Sequence, residues 1–149
     1  MSEPAVFVDS NLLIYSEDPA AGPKQETALA WLKVLWQRRI GRLSTQVLNE
    51  FYVTATRKIT PAMPMGDARA TVRRYAEWKP WLVDAATVES AWAVEARYGL
   101  HFWDSLVIAS AQHLGCRFLL SEDLPHEQTY GSVQVLNPFL ADIERLQLK

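Results

Sequence analysis

The sequence predicts an α/β domain layered on a mainly parallel sheet. Three observations carry that expectation. Short β-like apolar runs alternate with longer helical stretches along the chain, the pattern of strands joined by helical crossovers. Gly and Pro fall between those stretches, where turns belong. Of 149 residues, 49% are apolar and 21% charged, the balance of an ordinary globular protein with one proper core. This length predicts a single domain over residues 1–149 and leaves little room for two.

Ala5–Val8 reads as the first strand and ends at Asp9. Asp9 then reads either as a turn residue or as the cap of a short helix at Asn11–Tyr15. The Pro and Gly residues around Asp18–Pro23 mark a loop. Lys24–Ile40 follows as a helix carrying Ala28, Leu29, Trp31, Leu32, Leu35 and Trp36, with Gly41 as its C-terminal stop. Arg42–Ser44 reads as a short strand, and Ser44 or Thr45 caps a helix to about Ile59. The stretch Thr60-Pro61-Ala62-Met63-Pro64 breaks the pattern without dividing the domain. A helix from Met65 to Trp78, a third strand at Trp81–Val83 and a helix at Ala85–Tyr98 stopped by Gly99 come next. Asp104–Leu114 is apolar on nearly every side, which predicts a buried helix, and Gly115 ends it before a strand at Arg117–Ser121. Ser132–Leu136 reads as the last strand and Phe139–Leu148 as a closing helix. No internal repeat or low-complexity tract is visible.

Composition narrows the function classes. The net charge is −2, so the chain lacks the overall basic character usual in polyanion binders. Arginine is nevertheless grouped locally (Arg38, Arg39, Arg42; Arg57 with Lys58; Arg69, Arg73, Arg74). Those groups read as phosphate contacts or as solvated helix faces. The single cysteine, Cys116, forbids an internal disulfide framework. No window is apolar enough to span a bilayer, and Met1-Ser2-Glu3-Pro4 lacks the basic start of a signal peptide. A cytoplasmic protein without a membrane partner is the expectation.

Four carboxylates stand out. Asp9 and Asp123 follow apolar strands, while Glu50 and Asp104 lie near helix starts. In an open parallel sheet, ligand sites form beyond the carboxyl ends of the strands at the switch in strand order. Asp104 also reads as the N-cap of the helix behind it. Glu50 is harder to explain structurally, because it falls beside the apolar stripe of Val47, Leu48, Phe51 and Ala55, where an unpaired acid is unfavourable. Several carboxylates in one pocket repel unless a cation neutralises them. An oxygen-only set selects Mg²⁺ or Mn²⁺ over zinc, and His101, His113 and His126 show no zinc-site spacing. Such a site activates water and stabilises in-line displacement at a phosphodiester. No GxSxG elbow, GxxxxGK[ST] loop or GxGxxG fingerprint competes with that reading.

Val8-Asp9-Ser10-Asn11-Leu12-Leu13-Ile14-Tyr15, Gln46-Val47-Leu48-Asn49-Glu50-Phe51, Trp103-Asp104-Ser105-Leu106-Val107-Ile108-Ala109-Ser110-Ala111 and Leu119-Leu120-Ser121-Glu122-Asp123-Leu124, in this order, resemble the PIN-domain ribonucleases. The resemblance is closest to the VapC-like toxins of type II toxin–antitoxin modules, and it covers nearly the whole chain. It implies a three-layer α/β/α sandwich around a mainly parallel sheet. It also implies an acidic Mg²⁺ or Mn²⁺ site at Asp9, Glu50, Asp104 and Asp123, with Asn11 and Ser121 supporting it. Single-stranded or loop RNA as substrate, a homodimer and a small cognate antitoxin follow from the same resemblance. Glu122 and Asp123 compete for the fourth position; alternation along the strand puts Asp123 on the side of Ser121. The family often has threonine where Ser10 and Ser121 stand here, a change that keeps the hydroxyl.

Trp31 and Trp36, five positions apart, point in different directions, so one of them is either partly buried or left for a partner. Two other function classes remain open: a PIN-like RNA-binding or scaffold module without catalysis, and a metal-dependent phosphatase. The phosphatase of haloacid-dehalogenase type needs an Asp where Asn11 stands.

Overall fold

A computed structural model of the chain describes residues 3–149. Its centre is a five-stranded sheet. Strand β1 (Val6–Val8) is fully buried, as expected of an interior parallel strand covered on both faces. It pairs in parallel with β2 (Gly41–Arg42) on one side and with β3 (Phe118–Leu120) on the other. Two further strands, β4 (Thr129–Tyr130) and β5 (Val133–Leu136), complete the order β2-β1-β3-β5-β4, and β4 alone runs antiparallel. The chain leaves β1 for β2 and later returns to β1's other side with β3. The switch in strand order therefore lies beside β1, where a crevice opens at the carboxyl ends. Register aligns Val8 with Leu120, so the residues after β1 and β3 emerge side by side.

Six α-helices surround this sheet in the α/β/α manner. Helix α1 (Ser10–Glu17) buries Leu12, Leu13 and Ile14. Helix α2 (Pro23–Arg38) starts with Pro at a position whose N–H needs no partner, and it buries Ala28, Trp31, Leu32 and Leu35. Helix α3 (Thr45–Arg57) is capped by Ser44, whose hydroxyl accepts from the Val47 N–H at 3.3 Å. Helices α4 (Met65–Tyr75), α5 (Ala85–Tyr98) and α6 (Phe102–His113) follow. Helix α1 packs on α2 and α3, α3 packs on α4, and α5 pairs with α6. Among the described residues no helix is long and apolar enough to cross a membrane. Cys116 is buried and unpaired, and burial pushes its thiol up to about 12.

Several local expectations change. Gly41 does not stop α2. The helix ends at Arg38, and Arg39 itself takes the left-handed turn (φ 57°). Gly41 instead lies in β2 beneath Trp78, where an added Cβ would stand 2.3 Å from the indole. Arg42–Ser44 contributes only Arg42 to that strand. Trp81–Val83 is not a strand, because Asp84 caps α5 at once and leaves a single bridge from Trp81 to Ser44. The helix from Met65 tightens into a 3₁₀ turn at Ala76–Trp78. The closing helix reduces to a 3₁₀ turn at Ile143–Leu146. There the side chains of Asn137 and Asp142 take the N–H groups of Phe139 and Glu144, competing with a longer helix. Strand β4 was not expected; Gly131 (φ 62°) turns it onto β5.

Of the alternatives for the two tryptophans of α2, partial burial of one within the monomer holds. Trp31 is buried, with its N–H donated to the Pro138 carbonyl at 3.2 Å. Trp36 packs into a separate aromatic cluster with Tyr75 and Trp78, at centroid distances of 5.2 and 5.1 Å. The 3₁₀ turn after α4 supplies that second surface. The exposed indoles are Trp92 and Trp103.

Candidate active site

Asp9 is the last residue before α1 and, of the structural roles foreseen for it, takes that of the helix cap. Its Oδ1 caps the helix by accepting from the Ser10 N–H at 2.8 Å. Its Oδ2 accepts from the Ser121 hydroxyl at 2.8 Å. Ser121 stands beside it because β1 and β3 are in register one residue earlier. Asn11, one residue into α1, shares its amide N–H groups among Asp9 Oδ2 (3.4 Å), Ser121 Oγ (3.3 Å) and Asp123 Oδ2 (3.1 Å). The Asp123 backbone N–H donates to Ser121 Oγ at 3.1 Å. One amide and one hydroxyl thus tie Asp9 and Asp123 together.

Glu122 is held apart from this group. It forms an ion pair with Lys24 and accepts from the Tyr15 hydroxyl at 2.5 Å. Burial alone would raise its carboxyl, but those two donors hold it below the usual range. The chain has left β3 at Leu120, so a turn and not strand alternation separates the two neighbouring acids.

Glu50 and Asp104 approach from the helices. Asp104 is not the N-cap of α6; His101 occupies that place, and Asp104 sits in the first turn where a negative charge suits the helix dipole. Gln46, one turn before Glu50, donates its amide N–H to the Trp103 carbonyl at 3.1 Å and fastens α3 to the start of α6. Glu50 Oε1 is buried with no hydrogen-bond partner.

These acids feel one another. Burial pushes the Asp9 carboxyl up to about 6 against the hydrogen bonds from Ser121 and Ser10, with the charges of Asp123 and Asp104 adding to the rise. Burial, then the charge of Asp9, pushes Glu50 up to about 7, although the Gln46 amide pulls it down. Burial and the charge of Asp123 raise Asp104, and His101 opposes the rise. Among the described residues none of the four is in a salt bridge. None stands in a group of three or more His, Cys, Asp or Glu side chains close enough to hold a metal ion as placed. The acids share one field without meeting at one point.

A groove of about 640 Å³ runs along α3 from this cluster, with Ser10, Glu50 and Trp103 at one end and Lys58 further along. Its features that were not foreseen are Gln46 and Trp103. The signal for Gln46 was its place one helical turn before Glu50, on the same face. For Trp103 it was adjacency to Asp104 in an otherwise apolar helix. The histidines take ordinary roles: His126 Nδ1 accepts from the Asn137 N–H at 3.0 Å, and His113 stacks on Trp81.

The sequence matches the family model for the PIN domain over residues 6–131. Seven solved chains match in structure. One is the crystal structure of VapC20 from Mycobacterium tuberculosis, described as a sarcin–ricin loop cleaving toxin. It aligns with a TM-score of 0.62 over 80% of this chain and 92% of that one, at 22% identity, a likeness of fold. No curated protein matches the sequence significantly.

Proposed function

This chain belongs to the PIN domain family, and we propose that it is a metal-dependent endoribonuclease, the toxin component of a toxin–antitoxin pair. The observation that carries the proposal is the placement of Asp9, Glu50, Asp104 and Asp123 within one another's field at the strand-order switch. Burial and neighbouring acids raise the carboxyls of Asp9, Glu50 and Asp104, and among the described residues no salt bridge reaches any of the four. A buried, unpartnered Glu50 oxygen in an all-oxygen donor set fits a hard divalent ion. Asp9, Glu50, Asp104 and Asp123 are the residues to hold Mg²⁺ or Mn²⁺. Bound there, the ion supplies an activated water and charge stabilisation for in-line attack at phosphorus.

The protein's own part is positioning. Asn11 and Ser121 keep Asp9 and Asp123 oriented toward one crevice, and the Gln46 amide sets the helix of Glu50 against that of Asp104. Lys24 and Tyr15 keep Glu122 out of the cluster, leaving Asp123 as the fourth acid. The same reading implies a homodimer and a small cognate antitoxin, for which the exposed Leu29, Trp92 and Leu140 offer apolar surface. The second reading, a PIN module that binds RNA without cutting it, rests on the acids' failure to converge as placed.

Purified, antitoxin-free protein incubated with structured RNA in Mg²⁺ or Mn²⁺ tests the proposal. A sarcin–ricin loop is the first RNA to offer, given what the Mycobacterium tuberculosis protein is described as cleaving. Cutting that disappears with EDTA and in Asp104→Asn supports the nuclease. Cutting that survives both contradicts it, and RNA binding without metal or cleavage favours the second reading.

A further inference from the structure

Trp103 is 56% exposed and directly precedes Asp104. An exposed tryptophan is unremarkable alone, and Trp92 on α5 is 54% exposed as well. Trp103 differs in three ways. It lines the groove that contains Glu50, one of the four acids. Phe102 meets it edge-to-face at a centroid distance of 5.1 Å, and Phe102 packs against the buried cluster of Ala91, Leu106 and Ala109. Its carbonyl is pinned to α3 by Gln46. The ring is therefore exposed yet anchored.

The rest of the groove follows the chemistry of a nucleic-acid strand. Asn49 supplies an exposed amide along its wall, and Lys58 lies on the same wall eight residues beyond Glu50. Eight residues of helix span about 12 Å. Lys58 is too far to serve a phosphate at the acids and is placed for another one along the strand. Among the described residues it has no ion-pair partner. Val53, Val83 and Leu106 add apolar lining, and this apolar floor with an acid, an amide, a cation and one flat aromatic surface suits alternating bases and phosphates.

We propose that Trp103 is the stacking platform for a nucleobase next to the scissile phosphate, and that Lys58 holds a phosphate further along the groove. This rests on the nuclease reading and adds how the strand is seated. Stacking tolerates any base, so the platform seats the strand and leaves base identity to groups such as the Asn49 amide.

The test compares the full chain with Trp103→Phe, Trp103→Ala and Lys58→Ala. Fluorescence anisotropy measures binding of hexaadenylate and of an abasic ribose-phosphate chain of equal length, with Ca²⁺ in place of Mg²⁺. Trp103→Ala weakens hexaadenylate binding by about 5- to 150-fold, and Trp103→Phe stays within about threefold of the parent. The parent and both Trp103 variants bind the abasic chain alike. Lys58→Ala weakens both probes and lowers the salt slope by about one. Equal hexaadenylate affinity for Trp103→Ala and the parent, or an equal loss on the abasic chain, overturns the platform. Unchanged binding by Lys58→Ala overturns its phosphate contact. If sedimentation shows that Trp103→Ala dissociates a dimer while RNA binding is intact, the indole belongs to a second copy and the platform is overturned. A parent protein that cuts RNA in Mg²⁺ while showing any of these results separates this failure from that of the nuclease reading. A parent that neither binds nor cuts RNA overturns both.

Discussion

Replacing Asp9 with Asn stabilises the metal-free protein at neutral pH and leaves it unchanged in acid. Asp9 is 5% exposed, and its carboxyl rises from 3.8 to about 6 on folding. Between those values the unfolded chain has released a proton that the folded chain still holds. Stability therefore falls as pH rises from about 4 to about 6 and stays low above that. A gap of about two pH units is worth about 3 kcal/mol. Asn is nearly isosteric and carries no charge to desolvate. Its Oδ1 still accepts from Ser10, while the new Nδ2 faces the Ser121 hydroxyl and the Asn11 amide, both of which reorient to meet it. The expected gain in EDTA at pH 8 is about 3 kcal/mol, or roughly 6–12 °C in Tm for a chain of this size. Calorimetric melts at pH 4, 6 and 8 read it directly. Saturating Mg²⁺ narrows the gap, because the ion stabilises the ionised parent by about 2.7 kcal/mol at a hundred times its Kd and gives the variant less. A variant that melts lower than the parent at pH 8 in EDTA, or that gains equally at pH 4 and pH 8, refutes the reasoning.

Two other substitutions probe the neighbourhood. Asp123→Asn lowers Mn²⁺ affinity at least tenfold by titration calorimetry, whereas Glu122→Gln changes it less than threefold and instead loosens the loop tied to Lys24 and Tyr15; equal losses would place both acids at the ion. Gly41→Ala forces a methyl against the Trp78 indole at 2.3 Å and destabilises the fold by about 1–3 kcal/mol in urea, a loss that a neutral result would rule out.

Much of the architecture was legible because strand and helix periods differ. The run at Val6–Val8, the apolar helix α6 and the strand Phe118–Leu120 were visible as patterns, and α5 was legible to its ends at Ala85 and Tyr98. What sequence could not give was tertiary context. Gly41 looks like a helix stop until Trp78, 37 residues later, is seen to need the space above it. Trp81–Val83 has strand composition, but the cap at Asp84 leaves no length for pairing. The segment from Phe139 is helical by composition, and local side-chain hydrogen bonds from Asn137 and Asp142 win over it.

The candidate site was legible as four acids but not as an arrangement. Strand register explains why Asp9 meets Ser121, and a helix-to-helix amide bond explains how Glu50 and Asp104 are set. What separates Glu122 from Asp123 in the fold is its pairing with Lys24 and Tyr15, partners about a hundred residues away in the chain. Trp103 was in plain view in the motif around Asp104, but its exposure at a groove is a property of the fold alone.

The central claim is that Asp9, Glu50, Asp104 and Asp123 form one divalent-metal site. Anomalous diffraction from crystals soaked in Mn²⁺ addresses it most directly. The account predicts a peak in the crevice beyond β1 and β3, with oxygens of these carboxylates drawn to about 2.0–2.2 Å from it. Mn²⁺ bound elsewhere, or a crevice that stays empty at saturating Mn²⁺ while the protein still cuts RNA, would contradict it.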